Sequence, residues 1–91
     1  MGRVGRHVSK AISKAINEAN ALDEFRVASE SKGLSRAEAS AVMRKHGVSP
    51  RAMGGWVSHH WITHDKEADR RWLTRAGDAR VKALRELIRQ G

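Results

Sequence analysis

The stretch that decides the fold reads GVSPRAMGGWV at positions 47–57. Glycine followed by Val-Ser-Pro predicts the end of one helix and the start of the next, because glycine ends helices cheaply and proline fits the first helical position. Upstream, Ser35 and Glu38 have the spacing of a capping box, which predicts a helix that ends near His46. Two helices joined by about three residues form a helix-turn-helix connection.

Both helices are expected to bury one apolar face. For the first helix, the inward positions are predicted to be Leu34, Ala37, Ala41 and Val42. The second helix is predicted over about 49–60, with Ser49 as its cap and Pro50 at its first position. Its inner face is expected to hold Met53, Trp56 and Val57, because these positions follow the i, i+3, i+4 spacing of one helix face.

The residues before the helix-turn-helix predict two further helices. Apolar residues from Val8 to Ala19 recur at helical spacing, Asn20 is expected to interrupt the helix, and a second helix is expected to reach about Ser31. Gly33 is expected to stop that helix in the left-handed conformation. Residues 1–7 combine glycines with basic side chains and predict a flexible basic arm, which leaves 8–91 as a single domain.

Downstream, residues 61–64 and 70–74 are rich in aromatic and β-branched side chains and flank a polar stretch, which predicts a β-hairpin. An isolated hairpin is marginally stable in water. This one is therefore expected to pack on the helices through Trp61, Ile62, Trp72 and Leu73, and Trp56 is also expected in the core. Thr74 is expected to cap a last helix with the apolar stripe Val81, Leu84, Leu87 and Ile88. The predicted fold is mainly α with a short β-hairpin.

Two motifs resemble those of known DNA-binding regulators. Residues 39–57, and above all 47–57, resemble the helix-turn-helix of bacterial regulators, excisionases and transposases, through Gly47, Val48, Ser49, Met53 and Trp56, with the MerR-like and excisionase form as a variant. Residues 69–77 read DRRWLTRAG and resemble the wing of MarR-type winged-helix regulators. The resemblance implies a winged helix-turn-helix, with a recognition helix at about 49–60 and a wing at about 61–74. It also implies that the wing arginines lie along the minor groove or its phosphates.

The composition favours a polyanionic partner. The chain has 18 Lys and Arg against 10 Asp and Glu, a net charge of +8, of which +4 lies in residues 31–60 and +3 in 61–91. Such a surplus attracts polyanions. The chain has no cysteine, which excludes disulfides and thiolate zinc sites. No apolar run approaches the roughly 20 residues of a membrane span, so no membrane partner and a cytoplasmic location are expected. A chain this short predicts no deep pocket, and nothing in it indicates a cofactor or a small-molecule substrate.

The candidate DNA contacts are basic and polar side chains of the helix-turn-helix and the hairpin. They are Arg44, Lys45, Ser49, Arg51, Ser58, His59, Lys66, Arg70, Arg71 and Arg75. Arg51 falls in the first turn of the recognition helix, where an arginine can bond guanine bidentately. Arg44 and Lys45 also suit the negative end of a helix dipole without DNA. His59, His60, His64 and Asp65 form a histidine-rich cluster, but no second shell can be inferred and no metal site is predicted.

The sequence thus predicts a double-stranded DNA-binding protein, either a small transcriptional regulator or a phage or plasmid accessory factor. A homodimer is expected, because palindromic operators mirror two-fold symmetric proteins. The alternative is a protein-binding module that uses a winged-helix scaffold to bind or inhibit a host protein. Gly54 and Gly55 favour this alternative, because they stand where base-reading side chains are common. An enzyme is not predicted, since no paired carboxylates, phosphate-cradling loop or activated nucleophile is evident.

Overall fold

The computed structural model describes residues 9–91, so the predicted arm at 1–7 and the helix start at Val8 lie outside the described residues. The elements in order are α1 (Lys10–Asp23), a 3₁₀ turn (Glu30–Lys32), α2 (Arg36–Lys45), α3 (Ala52–Ser58), β1 (Ile62–Asp65), β2 (Arg70–Leu73) and α4 (Arg75–Gln90). The two strands pair as an antiparallel hairpin. The described part of the chain is mainly helical, with the layout of a helix-turn-helix followed by a wing, and the predicted fold class is confirmed.

Helix α1 is one uninterrupted helix. Ser9 caps it by accepting a hydrogen bond from the Ile12 amide at 3.1 Å, and it runs through Asn20 to Asp23. The predicted break at Asn20 and the predicted helix to about Ser31 are both wrong. Helix continues past Asn20 because its neighbours on either side are buried in the core. It ends early because the carbonyl oxygen of Phe25 accepts a hydrogen bond from the amide of Leu73 at 2.8 Å, a pairing with the hairpin that a helix would prevent.

Gly33 stands at a close approach between two backbone segments. Its φ is −61°, in the extended region, so the prediction of a left-handed helix stop is wrong. The next residue, Leu34, forms an isolated bridge with Arg71, with N–H···O distances of 2.8 and 2.9 Å. A Cβ at Gly33 would lie 2.7 Å from the carbonyl oxygen of Arg71. Glycine is needed at position 33 because the bridge from Leu34 to Arg71 brings this segment alongside β2, too close for a side chain.

Helix α2 begins with the predicted capping box. The Ser35 hydroxyl accepts from the Glu38 amide at 3.1 Å, and the Ser35 amide donates to the Glu38 carboxylate at 2.8 Å. Ala39 and Met43 are fully buried. The predicted inward positions Ala37 and Ala41 are exposed, and Leu34 and Val42 are only half-buried. The error arises because alanines occur all round this helix, so that spacing alone does not select one face.

The hairpin packs on the helices through one of its two faces. Ile62 lies opposite Leu73, and Thr63 lies opposite Trp72. Ile62 is buried and Leu73 packs against the core, whereas Trp72 lies half-buried on the other face, outside the core cluster. The prediction of Trp72 as a core residue is therefore wrong, because side chains alternate across a strand and only one phase faces the helices.

The main core contains residues from each of the four α-helices, from β1 and from the segment after α1. Its buried residues come from the end of α1 onward through α4, namely Ala21, Leu22, Phe25, Ala39, Met43, Trp56, Ile62 and Val81. The ring of Trp56 meets the ring of Phe25 edge to face, with 5.8 Å between centroids. Trp61 is only partly buried against this cluster. Trp56 thus has the predicted core position, and Trp61 lies at its edge.

Helix α4 starts as predicted at Thr74, whose hydroxyl accepts from the Gly77 amide at 2.9 Å. It packs antiparallel to α1 around a second small core of Ala15, Ala19 and Leu84, with Ile88 half-buried beside it. Of the predicted stripe, Leu87 is 48% exposed. None of the helices in residues 9–91 combines the length and apolar character needed to cross a bilayer.

Candidate nucleic-acid interface

Backbone capping motifs fix both ends of the helix-turn-helix. At the end of α2, the Gly47 amide donates to Arg44 and the Val48 amide to Met43, and Gly47 has a φ of 75°. These paired bonds define a Schellman cap, in which a left-handed residue lets the chain turn away from the helix. The same pattern ends α3, where His60 has a φ of 63°. The predicted end of the first helix at Gly47 is therefore confirmed, and His60 plays the same part at the end of α3.

The second helix is shorter than predicted, Ala52–Ser58 rather than about 49–60. Ser49 and Pro50 belong to the preceding turn, and the Ser49 hydroxyl accepts from the Arg51 amide at 3.3 Å rather than capping the helix. The first turn of α3 has the hydrogen bonds of a 3₁₀ helix, because the amides of residues 52–54 bond carbonyl oxygens three residues earlier. Two glycines in the following turn weaken its helical propensity.

The solvent-exposed face of α3 has few side chains. Trp56 is buried and Met53 and Val57 are half-buried, whereas Arg51 and Ser58 are exposed at the two ends. Between these ends lie Gly54 and Gly55, and a Cβ built on either glycine meets no atom within 4 Å. Nothing within the described chain thus requires a glycine at these positions.

Replacing both Gly54 and Gly55 with alanine is therefore expected to stabilise the free protein. Each change gains about 1 kcal/mol of helix propensity, or about 2 kcal/mol together, since no neighbour obstructs the added methyl groups. Urea unfolding followed by circular dichroism measures the change in the free energy of unfolding. A loss of stability would mean that α3 packs on another part of the chain through this face.

The two wing arginines have different environments. Arg71 faces the helices, its side chain is 15% exposed, and it donates to the Asp69 carboxylate at 2.7 Å. Asp69 also accepts from the backbone amide of Arg36 at 3.1 Å, and these bonds, with that to Arg71 the stronger, lower the pKa of its carboxyl group. Asp69 thereby ties the hairpin to the start of α2. Arg70 lies on the other face, opposite Asp65, and forms no ion pair with residues 9–91.

Two other candidate contacts are held by intramolecular partners. Lys45 lies 2.7 Å from the Glu24 carboxylate, which also bonds His46, and these contacts with Lys45 and His46 lower the pKa of Glu24. The imidazole of His59 stacks on Trp61 with 4.6 Å between ring centroids. The guanidinium of Arg80 also lies over the Trp61 ring, 4.4 Å from its centre. Lys45 ties α2 to the end of α1, and His59 covers an aromatic ring.

The remaining basic candidates form a set that we call the unpaired basic set. Its members are Arg44, Arg51, Lys66, Arg70 and Arg75, none of which forms an ion pair within residues 9–91. They lie at the end of α2, the entry of α3, the hairpin and the start of α4. By contrast, the basic residues of α4 after Arg75 are paired with carboxylates, as in Arg80 with Glu18, Lys82 with Asp78 and Arg89 with Glu86.

Sequence reasoning missed Asp69 as a positioning residue, although it stands in the quoted wing motif. Its partner Arg36 is 33 residues away, so no local pattern indicates the contact. Within the part of the chain that the structure describes, no three His, Asp or Glu side chains come together as a metal site, and this includes the cluster at 59–65.

Comparison with known proteins identified no relative of this chain. No protein-family model, curated protein or solved structure matches the chain. The resemblance to MarR-type and MerR-like regulators stays a prediction that rests on the two motifs.

Proposed function

We propose that this chain is a cytoplasmic double-stranded DNA-binding protein, a small transcriptional regulator or a phage or plasmid accessory factor. Helix α3 lies in the major groove, and the hairpin lies on the backbone or in the minor groove. The observation that supports this proposal most is the position of the unpaired basic set on the helix-turn-helix and the hairpin. A homodimer remains a prediction.

The physical argument is electrostatic. An arginine bonded to a carboxylate contributes little net field, whereas an arginine without such a partner keeps its full charge for an anion. Phosphates along a duplex supply that anion, and each neutralised phosphate releases condensed counterions. We therefore expect the unpaired basic set to make the phosphate contacts of a helix-turn-helix protein on DNA.

The exposed side chains of α3 imply modest sequence specificity. Base reading in the major groove depends on side chains that reach base edges. On the exposed face of α3, Arg51 is such a group, whereas Gly54 and Gly55 have no side chain. We expect binding to be driven mainly by phosphate contacts, with Arg51 supplying the preference for guanine.

The test is fluorescence anisotropy of a labelled random duplex at two salt concentrations, about 50 and 200 mM, over which phosphate-driven binding falls steeply. The variant R44A/R51A/R70A is expected to bind more weakly and to lower the slope of log K against log salt by about 0.9 for each lost phosphate contact.

The matched control is K82A/R85A/R89A, which removes the same charge from three exposed, paired residues of α4. It is expected to keep most of the affinity and the slope. Equal losses in the two variants would show that net charge, and not this surface, drives binding. Wild-type protein that does not bind at the lower salt would overturn the proposal.

The second candidate is a protein-binding module on the same scaffold. It is favoured by the bare face of α3, where Gly54 and Gly55 leave room for a partner backbone to approach closely. The unpaired basic set opposes it. Absence of DNA binding would make this candidate the stronger one, and capture of a host protein that G54A/G55A no longer binds would support it.

A further inference from the structure

A cleft of about 340 Å³ lies between the 3₁₀ turn Glu30–Lys32 and the outer face of the hairpin, which is the face turned away from the core. We call it the hairpin cleft. The bridge between Leu34 and Arg71 holds the turn beside β2 and so forms the cleft. Its volume lies within the range of about 300–1,000 Å³ that is typical of ligand sites. The lining residues are Glu30, Ser31, Asp65, Ala68, Arg70 and Trp72.

One wall of the hairpin cleft is aromatic. Trp72 is half-buried on the outer face of β2 and does not belong to the core cluster. Arg70 lies two residues earlier on the same strand and therefore on the same face. An indole ring that the core does not cover can stack on a nucleobase, since every base has a π face. A guanidinium beside it can donate two parallel hydrogen bonds.

Charges of both signs line the hairpin cleft without pairing. Asp65 stands opposite Arg70 in the register of the hairpin, and Glu30 contributes a second carboxylate from the 3₁₀ turn. None of these three side chains forms an ion pair within residues 9–91. One oxygen of Asp65 accepts from the Ala68 amide at 3.1 Å. The cleft therefore offers both acceptors and donors to a ligand that has both.

Guanine is the nucleobase whose edges match these groups. Its Watson–Crick edge has two adjacent donors, N1–H and the N2 amino group, and carboxylate oxygens accept from both. Its Hoogsteen edge has two acceptors, O6 and N7, to which an arginine bonds bidentately. Adenine has an amino donor in place of O6, which opposes an arginine. Both edges of guanine are open at once only when the base is unpaired.

We propose that the hairpin cleft binds an unpaired guanine of a nucleic-acid strand. The base stacks on Trp72, and Arg70 donates to its O6 and N7 atoms. The N1–H and the N2 amino group donate to the carboxylates of Asp65 and Glu30. A strand fits better than a nucleotide, because two carboxylates repel a terminal phosphate dianion, whereas the phosphates of a strand lie outside the cleft near groups such as Lys66.

The test compares labelled single strands of roughly twelve thymidines that carry one central guanosine, adenosine or inosine. Inosine lacks only the N2 amino group of guanosine. By fluorescence anisotropy, wild type is expected to bind the guanosine strand at least about fivefold more tightly than the other two. Guanosine monophosphate is expected to displace this strand only at concentrations about tenfold or more above the Kd of the strand. Displacement at lower concentrations would overturn the assignment to a strand.

Substitutions in the hairpin cleft test the contacts. E30Q/D65N removes two exposed carboxylates and is expected to bind the guanosine and inosine strands within about twofold of each other. The preference is the readout here, because removing negative charge raises the affinity for any strand. The control E67Q/E86Q makes the same change of charge outside the cleft and is expected to keep the wild-type preference. W72A is expected to weaken binding of all three strands at least about fivefold.

Two results would overturn the proposal: wild type that prefers guanosine over inosine by less than about twofold, or E30Q/D65N that keeps the full preference. An unchanged circular dichroism spectrum checks folding. Duplex binding is a separate result, because a paired guanine has its Watson–Crick edge occupied. Protein that binds a random duplex without the guanosine preference overturns the hairpin cleft alone, and protein with the preference but no duplex binding overturns the DNA-binding proposal alone.

Discussion

Replacing Gly77 with alanine is expected to lower the free energy of unfolding by about 3 kcal/mol, the upper end of the usual range for overpacking. Gly77 lies in the first turn of α4, and a Cβ there would lie 1.9 Å from the carbonyl oxygen of Trp61 and 2.5 Å from a methyl carbon of Leu73. The carbonyl cannot move freely, because it accepts a hydrogen bond from the Thr74 amide at 3.0 Å. The clash is with backbone, so no side-chain rotation relieves it.

Urea unfolding and thermal melts measure this loss, which corresponds to about 12–24 °C in Tm for a domain of this size. The control is the same substitution at Gly54, where a Cβ meets no atom and alanine is expected to stabilise. The same substitution, glycine to alanine, is thus expected to lower the free energy of unfolding at position 77 and to raise it at position 54. If G77A melts at or above the temperature of wild type, the close approach of Gly77 to the Trp61 carbonyl oxygen does not exist in the folded protein.

Replacing Phe25 with alanine is expected to lower the free energy of unfolding by about 3–5 kcal/mol. Phe25 is fully buried, and its ring packs against Trp56 of α3. Its carbonyl oxygen bonds the Leu73 amide at 2.8 Å, so the same residue joins the segment after α1 to the wing. Because a small domain has only about 5–15 kcal/mol of stability, this substitution leaves the fold marginal.

Denaturant unfolding of F25A and F25L separates cavity formation from loss of the aromatic ring. F25L keeps most of the apolar volume and is expected to cost about 1.5 kcal/mol. Equal losses for the two variants would show that the aromatic contact with Trp56, and not the filled volume, is what Phe25 contributes. A loss below about 1 kcal/mol for F25A would contradict its central place in the core.

The candidate DNA surface was only partly predictable. Arg51, Arg44 and Arg70 were found from their places in the helix-turn-helix and wing motifs, and the structure leaves them without ion-pair partners in residues 9–91. Lys45 and Arg71 came from the same motifs but are bonded to Glu24 and Asp69. Glu24 is 21 positions from Lys45 in the sequence, so this pairing depends on how α1 and α2 pack.

Sequence by itself determined the features that depend on neighbours a few residues apart. These are the capping box at Ser35 and Glu38, the break at Gly47, the hairpin, and the cap at Thr74. The caps and the break are preferences within one turn of chain, and the hairpin pairs two short segments that follow each other directly in the sequence, so the pattern of residue types contains all of them.

Only the tertiary structure decided where α1 ends, which face of α2 is buried and which way Trp72 points. The end of α1 follows from the Phe25–Leu73 backbone bond across the domain, and the face of α2 had to be selected among alanines on all sides. The orientation of Trp72 depends on the strand register. Packing between distant segments sets all three. Local propensities decide none of them, because they differ between the alternatives by less free energy than burial and strand pairing contribute.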